Sequence, residues 1–97
     1  MKITVTNEAL EWFKNELMLK PGDNVRFFVR YGGHSTIQEG FSLGMNMDRP
    51  KEAAVQTEKE GITFFIESED TWYFKDLDLK IVLNEKKQEI EFEYTEG

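Results

Sequence analysis

The sequence contains no cysteine among its 97 residues. This absence excludes disulfide bonds, metal sites built on thiolates and cysteine nucleophiles. Long apolar runs are missing as well, since no stretch approaches the roughly 20 apolar residues that a membrane helix requires. The first residues, MKITVTNEALEW, contain no apolar segment typical of a secretory signal. We therefore expect a cytoplasmic protein that does not enter a membrane.

Positive charge is scarce, because 12 Lys and Arg stand against 19 Asp and Glu, for a net charge of −7. The average field repels a phosphate backbone, so nucleic acid is not an expected partner. Apolar residues are plentiful, at 39% with 13% aromatic, which is enough for one core. The length predicts a single domain over residues 1–97. A domain this small has modest stability, which self-association would increase.

One helix is predicted near the start of the chain, after a short extended segment, ITVT. Thr6 or Asn7 is a suitable N-cap, and Glu8 lies in the positive first turn. Apolar residues then follow at helical spacing, namely Ala9, Leu10, Phe13 and Leu17. The sequence KPGD at 20–23 predicts the end of the helix, because proline cannot continue the hydrogen-bond ladder.

The rest of the chain alternates between apolar and polar residues with a period of two, which predicts strands. The alternating segments are VRFFVRY, FSLGMNM, ITFFIE, the stretch from Leu77 to Leu83, and EIEFEY. One helix followed by short strands with a polar face predicts an α+β fold, mostly β, with the helix packed on antiparallel sheet.

Candidate catalytic residues are few. A Ser-His-acid triad would use His34 as its base, but the adjacent Ser35 would point to the opposite face of an extended strand. The sequence has no nucleophile elbow, P-loop or dinucleotide fingerprint. Its carboxylates are scattered, and no pair stands out for acid–base catalysis. We therefore predict that the protein is not an enzyme.

The stretch YGGHSTIQEGF, at 31–41, contains the one histidine of the chain. Gly32 and Gly33 allow a tight turn that would present His34. A metal site is one interpretation, with His34 as a ligand and Glu39, Asp48 or the His34 of a second chain completing the set. The alternative is a histidine that only forms hydrogen bonds within a loop.

Two further features have both a structural and a functional interpretation. Arg26, Phe28 and Arg30 share one strand face, which is either a solvated face or a small interface patch. The run TWYF at 71–74 is either core and rim packing or a ligand or subunit contact. A period of two would place Trp72 and Phe74 on one face of this run and Tyr73 on the other.

These segments, taken in order, resemble the HesB/IscA-like family of A-type iron–sulfur carriers over nearly the whole length. ITVTNEALEWFKNEL is similar to the opening strand and helix of that family, and VRFFVRYGGHS to a strand that leads into its Gly-Gly-Cys-Ser turn. FSLGMNM, GITFFIESEDTWYFKDLDLKI and QEIEFEY resemble the later strands and a short bridging segment. The resemblance implies a twisted, pseudo-barrel-like pair of mixed sheets with one N-terminal helix.

The resemblance also implies a site. Family members hold iron or an iron–sulfur cluster with three cysteines, the first directly after the two glycines and two more in a Cys-Gly-Cys tail. The first position is occupied by His34 here, and the chain ends at FEYTEG, about where the tail would begin. An intrinsic cluster is therefore not expected, because clusters are held by thiolates. The implied function is that of a non-enzymatic accessory protein in iron–sulfur cluster biogenesis or iron handling. The alternative is a protein-interaction module on the same fold that binds no metal or cluster.

Overall fold

The protein's structure, a computed structural model, describes residues 1–35 and 37–96, but not the side chain of His34. The elements in chain order are β1 (Ile3–Val5), α1 (Asn7–Glu16), β2 (Asn24–His34), β3 (Glu39–Met47), β4 (Ala53–Lys59), β5 (Ile62–Glu67), a 3₁₀-helix (Ser68–Phe74), β6 (Asp78–Asn84) and β7 (Glu89–Thr95).

The strands form two mixed sheets. One has the order β1-β6-β7 and the other the order β3-β2-β5-β4. Strand β1 is parallel to β6, and β2 is parallel to β5, whereas the other neighbours are antiparallel. The predicted α+β, mostly β fold is confirmed. The two sheets are not joined into a closed barrel by the residues that the structure describes.

Helix α1 begins where the sequence predicted. The Thr6 hydroxyl accepts a hydrogen bond from the Ala9 N–H at 3.2 Å, which is N-cap geometry. Ala9, Leu10 and Phe13 are buried on one face of the helix. In the described part of the chain, no helix has the length and apolar character needed to cross a membrane.

The core lies between the helix and the two sheets, and four phenylalanines connect these layers. The Phe13 ring of α1 lies 5.1 Å from the Phe64 ring of β5. Phe27 of β2 stacks on Phe64 at 6.1 Å and meets the edge of Phe92 of β7 at 5.7 Å. Aromatic pairs in these arrangements add to the stabilisation from burial alone. The inward-facing aromatic residues of the predicted strands therefore pack together in one core.

Strand β4 was not predicted from the sequence. The segment AAVQTEK carries a weak apolar signal, since Val55 is its one residue that packs against the core. It becomes a strand because it pairs antiparallel with β5, from Lys59 opposite Ile62 to Ala53 opposite Glu67. A neighbouring strand thus determines the conformation of a segment whose own pattern does not.

The aromatic run at 71–74 corrects a sequence-based expectation. It lies in a 3₁₀-helix and not in an extended segment. Tyr73 and Phe74 are both buried, whereas 51% of Trp72 is exposed. The period-two assignment of Trp72 and Phe74 to a shared face was therefore wrong, since a 3₁₀-helix has three residues per turn.

Asp70 links the 3₁₀-helix to β2 at the point where the pairing of β5 with β2 ends. Strand β5 pairs with β2 only from Asn24 to Arg26 of β2. Beyond that point, the Val29 N–H donates to Asp70 Oδ1 at 3.3 Å, and Arg26 Nη2 donates to Asp70 Oδ2 at 2.9 Å. The Asp70 hydrogen bond raises the pKa of Arg26 above its ordinary value, so the guanidinium keeps its charge. Arg26 therefore holds the 3₁₀-helix against β2.

We expect Asp70→Ala to lower the free energy of unfolding by about 1–3 kcal/mol, because the Asp70 side chain is 10% exposed and accepts hydrogen bonds from both Arg26 and the Val29 N–H. Urea denaturation measures this change. Glu69→Ala is the matched control, because Glu69 also accepts from Arg26 at 2.8 Å but has a side chain that is 73% exposed. That control should cost at most about 1 kcal/mol. Equal losses in the two variants would contradict the role given to Asp70.

Candidate functional site

The glycine turn at the end of β2 has the geometry that the sequence predicted. Gly32 and Gly33 have φ angles of +109° and +66°, in the region that favours glycine. The pairing of β2 with β3 shifts register between Tyr31 and His34, which is a β-bulge. A Cβ atom at Gly33 would lie 3.1 Å from the Ser42 hydroxyl oxygen, so close packing also favours glycine there.

The backbone of His34 pairs with Glu39 at the start of β3. Its side chain lies outside the part of the protein that the structure describes, so its role as a metal ligand stays a prediction. The loop that follows is closed by Ser35, whose hydroxyl accepts from the Gln38 N–H at 3.1 Å and donates to the Gln38 carbonyl at 3.2 Å. The turn is thus a built feature of the hairpin formed by β2 and β3.

The donor set of the chain does not fit an iron–sulfur cluster. Clusters are held by cysteine thiolates, with histidine in a minority of positions, and this sequence has no cysteine. Among the side chains that the structure describes, no three His, Asp or Glu converge in a way that would hold a metal ion. Asp48, one of the predicted completing ligands, instead lies 4.0 Å from Arg26 Nη1 and accepts from the Arg49 N–H.

Aromatic rings lie beside this turn in a continuous row. Tyr31 of β2 meets Phe41 of β3 edge-on at 5.8 Å, and Phe41 meets Trp72 of the 3₁₀-helix at 5.2 Å. Trp72 contacts Tyr73 at 6.3 Å, and Tyr73 contacts Tyr94 of β7 at 5.9 Å. We call Tyr31, Phe41 and Trp72 the aromatic row; 92% of Tyr31 and 51% of Trp72 are exposed.

The inner end of these rings is fixed by a hydrogen bond between two hydroxyls. The Tyr73 and Tyr94 oxygens are 2.9 Å apart. Burial, followed by the hydrogen bond from Tyr73, raises the pKa of Tyr94 well above its ordinary value. Tyr73 is fully buried, so the aromatic row extends outward from the core and is not a loose surface group.

The sequence alone did not identify the aromatic row, because its members lie 10 and 31 residues apart on three elements. The alternation of VRFFVRY predicts that Tyr31 shares a strand face with Val25, Phe27 and Val29. The exposure of these side chains increases along the strand, from fully buried Phe27 to exposed Tyr31, because β2 extends beyond the core. The one sequence feature that could have indicated the aromatic row is the position of Tyr31 and Phe41 at the two ends of the glycine turn.

The fold, the glycine turn and the order of the elements define a HesB/IscA-like protein. The family model for iron–sulphur cluster biosynthesis matches residues 1–97. The chain belongs to this family, and it does so without any cysteine.

Relatives span almost the same length. A protein of Bacillus subtilis (strain 168) named pyruvate dehydrogenase inhibitor is 54% identical over 94 residues, which cover 97% of this chain and 99% of that protein. Uncharacterised proteins of Staphylococcus saprophyticus and Staphylococcus aureus (strain MRSA252) are 39% and 34% identical over 95 residues. Both alignments cover 95% of this chain and 97% of the relative.

We expect the free energy of unfolding to fall as the pH rises above about 10, where a tyrosine in the unfolded chain ionises while Tyr94 in the folded state does not. The stabilisation is complete below the unfolded pKa and is lost above it, because the folded pKa is the higher one. Tyr94→Phe should flatten this fall, as measured by urea denaturation at about pH 8 and about pH 11. Tyr31→Phe, at a position 92% exposed, should keep the wild-type slope. An unchanged slope in Tyr94→Phe would contradict the assignment.

Proposed function

We propose that this protein is a non-enzymatic interaction module that acts by binding a protein partner through the aromatic row. The observation that carries the proposal is the exposure of Tyr31 and Trp72 on rings packed back to the buried Tyr73. Tyrosine and tryptophan are frequent anchors of protein interfaces, because they offer a large contact area and few rotatable bonds. Rings that are already held by their neighbours lose little further freedom on binding.

Pyruvate dehydrogenase is the partner that we propose. The support is the relative named pyruvate dehydrogenase inhibitor, which is 54% identical over nearly the whole of both chains. An inhibitor that acts by binding its enzyme needs a contact surface, and a firmly anchored aromatic surface suits contact with a protein. Binding would then inhibit by occupying a surface of the enzyme, with no reaction carried out by this chain.

A second candidate function is an accessory role in iron–sulfur cluster biogenesis or iron handling. Family membership and the retained glycine turn favour it. In that case a partner would have to donate the thiolates, because this chain contributes none. Incubation with iron, sulfide and a donor protein that supplies thiolates therefore separates the two functions.

We expect the wild-type protein to inhibit the pyruvate dehydrogenase complex of Bacillus subtilis in an assay of pyruvate oxidation. Trp72→Ala should raise the concentration that gives half-inhibition about 30-fold, which corresponds to the loss of about 2 kcal/mol from an interface anchor. The reason is that Trp72 supplies the largest ring of the aromatic row.

Met47→Ala is the matched control, because Met47 is an apolar residue with the same exposed fraction, 51%, outside the aromatic row. It should inhibit as wild type does. Denaturation curves of both variants test whether the fold is kept. Absence of inhibition by the wild type, or equal loss in the two variants, would reject the proposal.

For the second candidate, we expect this chain to elute from gel filtration without cluster absorbance after anaerobic incubation with iron, sulfide and a cysteine-containing donor protein, because it has no thiolate and should not form a complex with the donor. Elemental analysis after desalting gives the iron content. His34→Ala should behave as wild type does. Stoichiometric iron in the wild type that disappears in His34→Ala would instead support a ligand role for His34 and the accessory function.

A further inference from the structure

The two sheets leave two strand edges facing the same opening. Strand β3 ends one sheet and β7 ends the other, according to the residues that the structure describes. Ser42 and Leu43 of β3 and the run 91–94 of β7 line one side of this opening together. Residues 43–45 of β3 and Glu89, Ile90 and Phe92 of β7 line the next part. The edges are therefore neighbours in space without being paired.

The opening is a cleft with two lobes. The lobe beside Ser35, Ser42 and Tyr94 has a volume of about 340 Å³, and the lobe beside Trp12 and Arg30 has a volume of about 430 Å³. Leu43 and Phe92 line both lobes, so the lobes adjoin each other. We call this feature the β3–β7 cleft. Its length follows the two strands, which suits an extended chain better than a compact small molecule.

The β3–β7 cleft has an apolar floor and an acidic side. Leu43, Met45, Ile90 and Phe92 are buried or half-buried and pack against the core. On β7 these inward residues alternate with Glu89, Glu91 and Glu93, which are all exposed. Arg30 lines the opposite side of the cleft beside β3. A ligand that matches this surface alternates apolar side chains with basic ones directed toward β7.

We propose that the β3–β7 cleft binds an extended, basic segment of a protein partner, which adds its backbone to the unpaired edge of β7. This inference rests on the proposed function in one respect, namely that the ligand belongs to a protein partner. Main-chain hydrogen bonds to a strand edge give affinity, and side-chain pockets at alternate positions give specificity. The glutamates on β7 attract lysine and arginine from a partner and speed the encounter.

A second copy of this chain is a poorer match. Two copies each carry a net charge of −7, and pairing β7 with β7 would bring the glutamates at 89, 91 and 93 of both chains together. Like charges directly opposite each other destabilise a strand pair. The acidic residues thus protect the edge from self-pairing while they leave it open to a basic strand.

The β3–β7 cleft also meets the aromatic row. Tyr94 lines the first lobe and contacts Tyr73, which in turn contacts Trp72. Ser42, on the β3 side of the same lobe, follows Phe41 in the chain. A partner that contacts Trp72 therefore lies close to one end of the cleft. An adjoining segment of the same partner can enter the cleft.

The test uses a fluorescein-labelled synthetic peptide in which lysine alternates with valine, and a second peptide with glutamate in place of lysine. Fluorescence anisotropy measures binding to the full chain. We expect the lysine peptide to bind and the glutamate peptide not to bind. We expect Glu89→Lys combined with Glu93→Lys to weaken binding of the lysine peptide about tenfold or more, because two attractive charges become repulsive.

Glu52→Lys combined with Glu58→Lys is the matched control. It changes the net charge equally, and Glu58 also lies on an edge strand, β4, but neither residue lines the cleft. This variant should bind the lysine peptide to within about twofold of wild type, since distant surface charges are largely screened at physiological salt. In NMR spectra, the peptide should shift amide signals of β3 and β7 and leave those of β4 unchanged.

The proposal is overturned if the lysine peptide does not bind, if both double variants weaken binding equally, or if the shifted amides lie outside β3 and β7. Self-association through β7, seen as β7 shifts on dilution without peptide, would also overturn it. Because these measurements contain no pyruvate dehydrogenase, their failure leaves the proposed function in place. Conversely, a protein that does not inhibit pyruvate dehydrogenase but binds the lysine peptide would reject only the named partner.

Discussion

The position of the 3₁₀-helix depends on the two hydrogen bonds that Asp70 accepts from Arg26 and from the Val29 N–H. They hold the chain at the point where β5 ends its pairing with β2. The 3₁₀-helix that follows places Tyr73 in the core, against Tyr94, and Trp72 at the surface, against Phe41. The exposure of Trp72 therefore follows from the way Asp70 binds β2 beyond the point where β5 stops pairing with it.

The chain keeps the fold of the iron–sulphur cluster biosynthesis family while it lacks the thiolates that bind clusters. The glycine turn still requires positive φ angles and still brings Gly33 against Ser42, so its geometry has a structural reason that does not depend on a ligand. What remains beside the turn is a surface of rings and an acidic cleft. Both features suit contact with another protein, and they adjoin each other at Tyr94.

Much of the fold was predictable from local patterns. The helix and its Thr6 cap, and the strands with strong alternation, follow from side-chain periodicity, which reports directly on one buried face. Strand β4 and the 3₁₀-helix were not predictable in this way. Val55 is one apolar contact in seven residues, and Asp70 gives no sign in the sequence that its partners lie more than 40 residues away. Of the candidate site, the glycine turn was predicted and the aromatic row was not.

The sequence by itself determined that no disulfide or thiolate site exists, that the chain is acidic, and that one helix precedes alternating strands. These properties are sums over residues or repeat over short distances, so they need no knowledge of contacts. Only the tertiary structure decided that Tyr31, Phe41 and Trp72 form one surface, and that β3 and β7 face each other unpaired. Those features depend on contacts between residues far apart in the chain, and the physical interactions that fix them act only after the sheets have packed.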